Sequence, residues 1–325
     1  MADHPIKGWN YVPDVPLQVS PFFSWPLRPA AMLSWLWNSW YLISERMIIL
    51  GITFLSFHWF QPPLDVIKTF APGWIIDLYA RNFALMFLVA GGLHLWFYTF
   101  TAQGQRLKYD PRPLMKNGKQ FTFGGQVRDN MFWTLGSGVT VWTGYEVLTF
   151  WAMANGYVPV LTWTASPIWF IALFLLIPVW ESFYFYWIHR LLHVPVLYKY
   201  VHSLHHRNTN VGPWSGLSMH PVEHVIYLGA VLIFLIAPAH PIHIMFLMQY
   251  LTLTAATTHC GFEGMVMKDK NRLRLGTFHH QMHHRYFECN YGSLEAPWDK
   301  FFGSFHDGTA EADTRIRERR KRMSA

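Results

Sequence analysis

The stretch that most restricts the fold is residues 164–187, "TASPIWFIALFLLIPVWESFYFYW", in which Glu181 alone breaks a run dominated by apolar and aromatic side chains. About 20 such residues span the ~30 Å hydrocarbon core of a bilayer. A backbone placed there must satisfy its own N–H and C=O groups, so it has to be helical. Segments 46–60, 79–101 and 131–154 are the other candidate spans, the first being the shortest. A composition of 52% apolar and only 14% charged residues agrees with a membrane protein. Residues 225–258 are apolar too, but "APAHPIH" places Pro238 and Pro241 in the middle, which predicts a hairpin of two helices. The expected fold is all-α, a multi-pass membrane helical bundle.

The ends and loops orient this bundle. Residues 1–30 are proline-rich, and 31–43 carry Trp35, Trp37, Trp40 and Tyr41, rings favoured at headgroup level, which predicts an interfacial helix. The N-terminus has neither the apolar core nor the small-residue site of a cleavable signal peptide, so insertion is expected to rely on the internal segments. Loop 102–130 holds six basic residues (Arg106, Lys108, Arg112, Lys116, Lys119 and Arg128), whereas 155–163 holds none. By the positive-inside rule that loop is cytoplasmic, and so are the segment after residue 188, residue 259 and the basic tail. The formal charge of +7 is not laid out as a basic surface interleaved with aromatics, so nucleic acid is not an expected partner. Two cysteines, Cys260 and Cys289, provide neither a disulfide framework nor a thiolate zinc pattern and read as small buried residues.

Of the 18 histidines, 15 fall between His189 and His306. They cluster as "HRLLH", "HSLHH", "HPVEH" and "HHQMHH". On a helix, positions i, i+3 and i+4 share a side, so His189 with His193, His202 with His205 and His206, and His280 with His283 and His284 can each converge. Adjacent histidines in the H-x-x-H-H form diverge by about 100°, so one of each pair can serve a first metal and its neighbour a second. About ten imidazoles exceed the four ligands of one tetrahedral zinc, which favours a dinuclear site. Carboxylates near the boxes are few: Glu223 and, more distantly, Glu181, Glu263 and Glu288. His4, His58, His94 and His306 read as interfacial or core residues, and His240 and His243 as hairpin-tip residues remote from the boxes. His224 reads as either a ligand or a group that orients one.

The order H-x-x-x-H, H-x-x-H-H, then H-H-x-x-H-H followed by "NYG" and "WDKFFGSF" resembles the fatty acid hydroxylase and sterol desaturase superfamily. Within it, "KYVHSLHHRNTNVGPWSGLSMHPVEH" and "HHQMHHRYFECNYGSLEAPWDKFFGSF" are most similar to C-5 sterol desaturases (lathosterol oxidases) and their bacterial relatives. The segment "GPWSGLS" stands where the eukaryotic enzymes usually have a threonine-proline segment. The likeness covers about residues 180–306. It implies that His189, His193, His202, His205, His206, His280, His283 and His284 are metal ligands at the catalytic site, joined by His220 and His259. It leaves open whether His279 or His280 turns inward. Asn290, Tyr291, Gly292, Trp298, Asp299 and Gly303 match positions that build a turn beside the last box.

The resemblance implies a cytosolic di-metal catalytic cap on the bundle. Two iron ions, replaceable by zinc in purified samples, would activate O2 to hydroxylate or desaturate a lipid, sterol-like or fatty-acyl. No G-x-G-x-x-G or other flavin or nicotinamide fingerprint occurs, so electrons are expected from a separate protein, cytochrome b5-like or a ferredoxin with its reductase. The basic loop and tail offer such a carrier a docking surface, or anchor the chain on anionic lipid. The alternative is a non-catalytic metal- or haem-binding membrane protein, although dense cytosolic boxes do not suit haem. A zinc hydrolase would need H-E-x-x-H, which is missing. The expected units are an irregular and interfacial segment over 1–45, spans and basic loop over 46–130, the catalytic region over 131–306 and the tail over 307–325.

Overall fold

Nine helices carry the architecture of the computed structural model, which describes residues 8–323. They are α1 (Pro29–Trp40), α2 (Glu45–Phe60), α3 (Pro72–His94), α4 (Val139–Ala154), α5 (Pro167–Leu192), α6 (Pro221–Leu228), α7 (Pro241–Thr258), α8 (Phe278–Tyr286) and α9 (Ala310–Met323). Proline opens α1, α3, α5, α6 and α7, where its missing N–H costs nothing and its fixed φ already suits a helix. Ser44 caps α2, its Oγ accepting from Met47 N at 3.3 Å. His4 lies outside the described residues.

Among the described residues, two helical segments are long and apolar enough to cross a bilayer: α3 with the π-helical turn that extends it to Thr99, and α5. A third arises if α1 and α2, bent by 46° at their junction, count as one span. The outward faces fit lipid contact. Ile76 and Leu88 on α3 and Ile168 and Ile171 on α5 are exposed, an apolar surface that water would not tolerate at this extent.

The expected span 131–154 is not among these candidates. Residues Gln126–Phe132, a π-helical stretch Trp133–Gly138 and α4 form that region. These run on without a break, so the helix from Gln126 to Ala154 is long enough to cross, but it is not apolar enough to count as a candidate span: it carries Arg128, Asp129 and the buried Glu146. Glu146 is held there by Arg81, and Asn82 Nδ2 donates to it at 2.8 Å, which ties α4 to α3 through paired buried charge.

The hairpin is present as α6, a 3-10 stretch Gly229–Leu235, and α7. Its second arm is the hub of the bundle. Nearly every side chain of α7 from Pro241 to Thr257 is buried, because the helix packs against α2, α3, α4 and α5. A helix apolar on all sides needs such a jacket of protein or lipid. The all-α expectation also misses a two-stranded antiparallel hairpin between α7 and α8, β1 (Gly264–Met267) and β2 (Lys270–Arg274). Lys268 and Asp269 turn it in the left-handed region, at φ 48° and 60°.

The N-terminal segments are stitched onto the histidine-bearing half. Asn10 N donates to Tyr109 O, Leu17 N to Asp307 O and Ser20 N to Leu294 O, at 2.8, 2.8 and 3.1 Å. Trp9, Tyr109, Phe278 and Met282 form a small core beneath α8, with the Arg285 guanidinium 4.0 Å from the Trp9 ring centre.

Candidate metal centre

Five elements bring the histidines together. The last turn of α5 supplies His189, and His193 follows at its end. A π-helical turn, Tyr198–His202, runs into the short helix Ser203–His206 and delivers His202, His205 and His206. His259 ends α7, and α8 supplies His280, His283 and His284. Thr277 caps α8, its hydroxyl accepting from His280 N at 3.1 Å, so this box starts in a fixed register.

Among the described residues, nine histidines fall into two groups. His189, His193, His202, His206 and His283 form one, and His205, His259, His280 and His284 the other; in each, one nitrogen per ring lies within 4.8 Å of all the others. The adjacent pairs divide: His205 goes to the second group and His206 to the first, while His283 goes to the first and His284 to the second. All except the partly buried His193 are buried.

The hydrogen bonds aim the rings. Nδ1–H of His189 donates to Tyr291 O at 2.6 Å, that of His283 to Cys289 O at 2.6 Å and that of His259 to Ala255 O at 2.8 Å. His205 Nδ1 lies 3.3 Å from Ser218 O, and His202 Nδ1 lies 2.7 Å from Glu223 Oε1. Each acceptor fixes the proton on Nδ1 and leaves a bare lone pair on Nε2, the tautomer a metal requires.

Those Nε2 atoms face one another. His283 Nε2 is 3.0 Å from His206 Nε2 and 3.2 Å from His193 Nε2. His259 Nε2 is 3.0 Å from the Nε2 atoms of both His280 and His284. One lone pair cannot accept from two donors, so protons alone do not satisfy this arrangement, whereas one shared cation does. Two nitrogens each about 2.1 Å from a common ion would stand about 3.0–3.4 Å apart. The buried His202 Nε2, without a hydrogen-bond partner, makes the same demand. The residues present fit two metal ions.

Burial keeps these rings neutral. It pushes His202 down to about 3 and His205 to about 4, and drives His206, His259, His280, His283 and His284 well below the usual imidazole range, their neighbours adding repulsion. A neutral ring can donate its lone pair at physiological pH. Burial likewise raises the Glu223 carboxyl to about 8, with His205 and His220 opposing the rise.

His220, expected as a tenth ligand, is outside both groups. It is the N-cap of α6, its Nδ1 accepting from Val222 N at 3.2 Å, because the X-Pro step at Pro221 holds it extended ahead of the helix. Glu223, one turn along α6, is the residue of that motif that reaches the centre. His224 is committed elsewhere: its Nε2–H donates to Leu217 O at 2.9 Å and its Nδ1 accepts from Ser137 Oγ at 3.0 Å. Of the doubled pair, His280 turns inward, while His279 lies 3.7 Å from Asp299 and outside both groups. His240 and His243 pack on Phe170, near the start of α5. His189 is 19 residues further along that helix, about 28 Å of rise.

The residues after the last box do more than close a turn. Phe287 and Asn290 take the left-handed region at φ 69° and 57°, which folds the chain back so that Cys289 O and Tyr291 O meet the rings of His283 and His189. Asp299 holds that loop, accepting from Tyr291 N and Gly292 N at 2.8 Å each. Asn290 Nδ2 donates to His279 O at 3.0 Å and to His306 O at 3.1 Å. These carbonyls escape sequence reasoning because any residue has one; only the "NYG" and "WDKFFGSF" motifs hint at them.

A cavity of about 240 Å³ opens beside the rings of His189, His202, His205, His259 and His280. Trp35, Phe185, Ile188, Met219 and Tyr227 are among its apolar lining.

Residues 174–304 match the family model described as Fatty acid hydroxylase. The chain is similar to a Delta(7)-sterol 5(6)-desaturase of Gibberella zeae, 33% identical over 39% of this chain and 40% of that protein. It is similar over a longer stretch to the Delta(7)-sterol-C5(6)-desaturase of Nicotiana tabacum, 26% identical over 81% of this chain and 92% of the plant protein. A C-4 methylsterol oxidase of Schizosaccharomyces pombe is 31% identical over 41% of this chain and 45% of its own. The matched stretch thus takes in less than half of each fungal relative. No solved structure matches the chain. All nine grouped histidines lie inside the matched segment, so the part of the chain that builds the candidate site is the part that matches the Fatty acid hydroxylase family model.

Proposed function

We propose that this protein is a membrane oxygenase that uses two iron ions and O2 to hydroxylate or desaturate a lipid. The observation that carries the reading is the pairing of two groups of inward-facing neutral imidazoles, five and four in number, with an apolar cavity at their side. His189, His193, His202, His206 and His283 would hold one ion, and His205, His259, His280 and His284 the other. Iron so held supplies activation of O2 and removal of hydrogen from an unactivated C–H bond.

The remaining work belongs to the chain. Tyr291 O, Cys289 O and Ala255 O keep three rings in the required tautomer, and Glu223 does so for His202. Phe185, Ile188, Met219 and Tyr227 exclude water from the space where a lipid carbon would lie. A substrate already in the bilayer need only move sideways to enter. The relatives' names concern sterols, which supports a sterol-like substrate, and a fatty-acyl chain would suit the same apolar wall. The histidines and C-terminus would face the cytoplasm, where a separate carrier, cytochrome b5-like or a ferredoxin with its reductase, would deliver electrons.

Two measurements test this. Protein purified in mild detergent from iron-replete cells should contain about two metals per chain without a haem Soret band. Lipid extracts from cells with and without the gene should differ by an added hydroxyl or double bond. One metal per chain, or bound haem, would defeat the dinuclear reading, and unchanged lipids would defeat the enzymatic one.

A further inference from the structure

The cavity beside the histidines is apolar along much of its wall but polar at one end, where Glu45, Arg46, Glu181, Tyr250, Ser293 and Glu295 line it. Arg46 Nη2 lies 2.5 Å from Glu295 Oε2, so its charge is already answered. Glu45 accepts from the Thr257 hydroxyl, and Ser293 Oγ donates to Ser182 Oγ at 2.9 Å. The Glu181 carboxyl, by contrast, accepts no hydrogen bond from any described residue, although it lines the cavity. Three carboxyls therefore share this end with one guanidinium. A carboxylate or phosphate headgroup entering here would lose its water and meet no unengaged cation, since Arg46 is already paired with Glu295. A hydroxyl or ammonium would meet the unengaged oxygens of Glu181.

We propose that the cavity selects a lipid whose polar group donates hydrogen bonds, a hydroxyl or an ammonium, and seats that group against Glu181. This rests on the oxygenase reading of the adjoining histidines and narrows its substrate class. Glu181 and His189 are eight residues apart on α5, about 12 Å of rise. The donor and the carbon presented to the histidines are thus held at opposite ends of one short cavity. Glu181 acts as a specificity residue by touching substrate, and the ion pair of Arg46 with Glu295 keeps the N-terminal helices closed over the same end.

The test uses full-length protein in detergent, with metal content measured on every sample, and equilibrium binding of radiolabelled octadecanol, octadecylamine and stearate. The wild type should bind at least one of the two donors about 10-fold or more tighter than stearate, the worth of roughly one hydrogen bond. Preference for both probes indicates hydrogen bonding as the basis; preference for the amine alone indicates charge pairing. Glu181→Gln should shrink the preference, and Glu181→Lys should reverse it toward stearate. Stearate binding as tightly as both donors, or a preference untouched in Glu181→Gln protein that retains its metal, overturns the proposal. Absent selectivity with two metals bound refutes this inference alone. Selectivity without metal refutes the oxygenase reading instead.

Discussion

Gly216→Ala is the sharpest probe of how the second histidine group is held. A Cβ at residue 216 would fall 1.9 Å from Ala255 O and 2.3 Å from Ala255 C, both backbone atoms in the last turn of α7. Relief to ordinary van der Waals contact requires a displacement of about 1.5 Å, and no flexible side chain can absorb it. Ala255 O is also the acceptor that fixes the His259 ring, whose Nε2 sits 3.0 Å from both His280 and His284. A shift of that size exceeds the tolerance of a metal site, for which misplacement of about 1 Å already costs on the order of 100-fold. The expected result is a chain that binds close to one metal instead of two, loses lipid oxidation and is destabilised by about 1–3 kcal/mol. Metal analysis of purified protein, with thermal unfolding in the same detergent, reads both effects. A Gly216→Ala protein with wild-type metal content and activity would refute the reasoning, by showing that the 216 loop yields and α7 does not.

Replacing His202, His206, His283 or His284 with Ala should abolish lipid oxidation and lower metal content, whereas His240→Ala should leave both nearly intact; metal analysis and lipid profiling of the same preparations decide it. Glu223→Gln should weaken metal binding by about 10-fold to 100-fold, because His202 loses the carboxylate that orients it. His220→Ala should cost only about 1 kcal/mol of stability with metal content unchanged, as expected for a helix cap. Acid should destabilise the metal-free protein. Burial holds His224 and His205 near 4 and His202 near 3, so below pH 6.5 the unfolded chain takes up protons that the folded chain refuses. Stability is therefore complete above about pH 7 and falls as pH drops toward 4, by on the order of 2 kcal/mol per ring at pH 5. Thermal unfolding across pH 5–8 checks the sign; a flat or inverted profile contradicts it.

What the sequence determined by itself is local or compositional. Helical segments at 46–60, 79–101 and 164–187 follow from apolar runs that leave the backbone no other way to pair, and the break at Pro238 and Pro241 follows from ring geometry. Spacing within a box is likewise a property of one helix. That the two rings of each adjacent pair face different groups is already contained in the 100° step between His205 and His206 and between His283 and His284; which ring joins which group is not. Tertiary structure decided everything that depends on contact between distant segments. His220 and Glu223 sit in one motif, and only the packing of α6 against the His202 turn makes the glutamate the residue that reaches the centre and the histidine a cap. The carbonyls of Tyr291, Cys289 and Ala255 orient three rings, and a carbonyl leaves no mark in a sequence. The polar end of the cavity joins Glu181 on α5 to Glu45 and Arg46 on α2 and to Glu295 beyond the last box. No periodicity encodes such a meeting, because it is set by how helices pack and not by how any one of them forms.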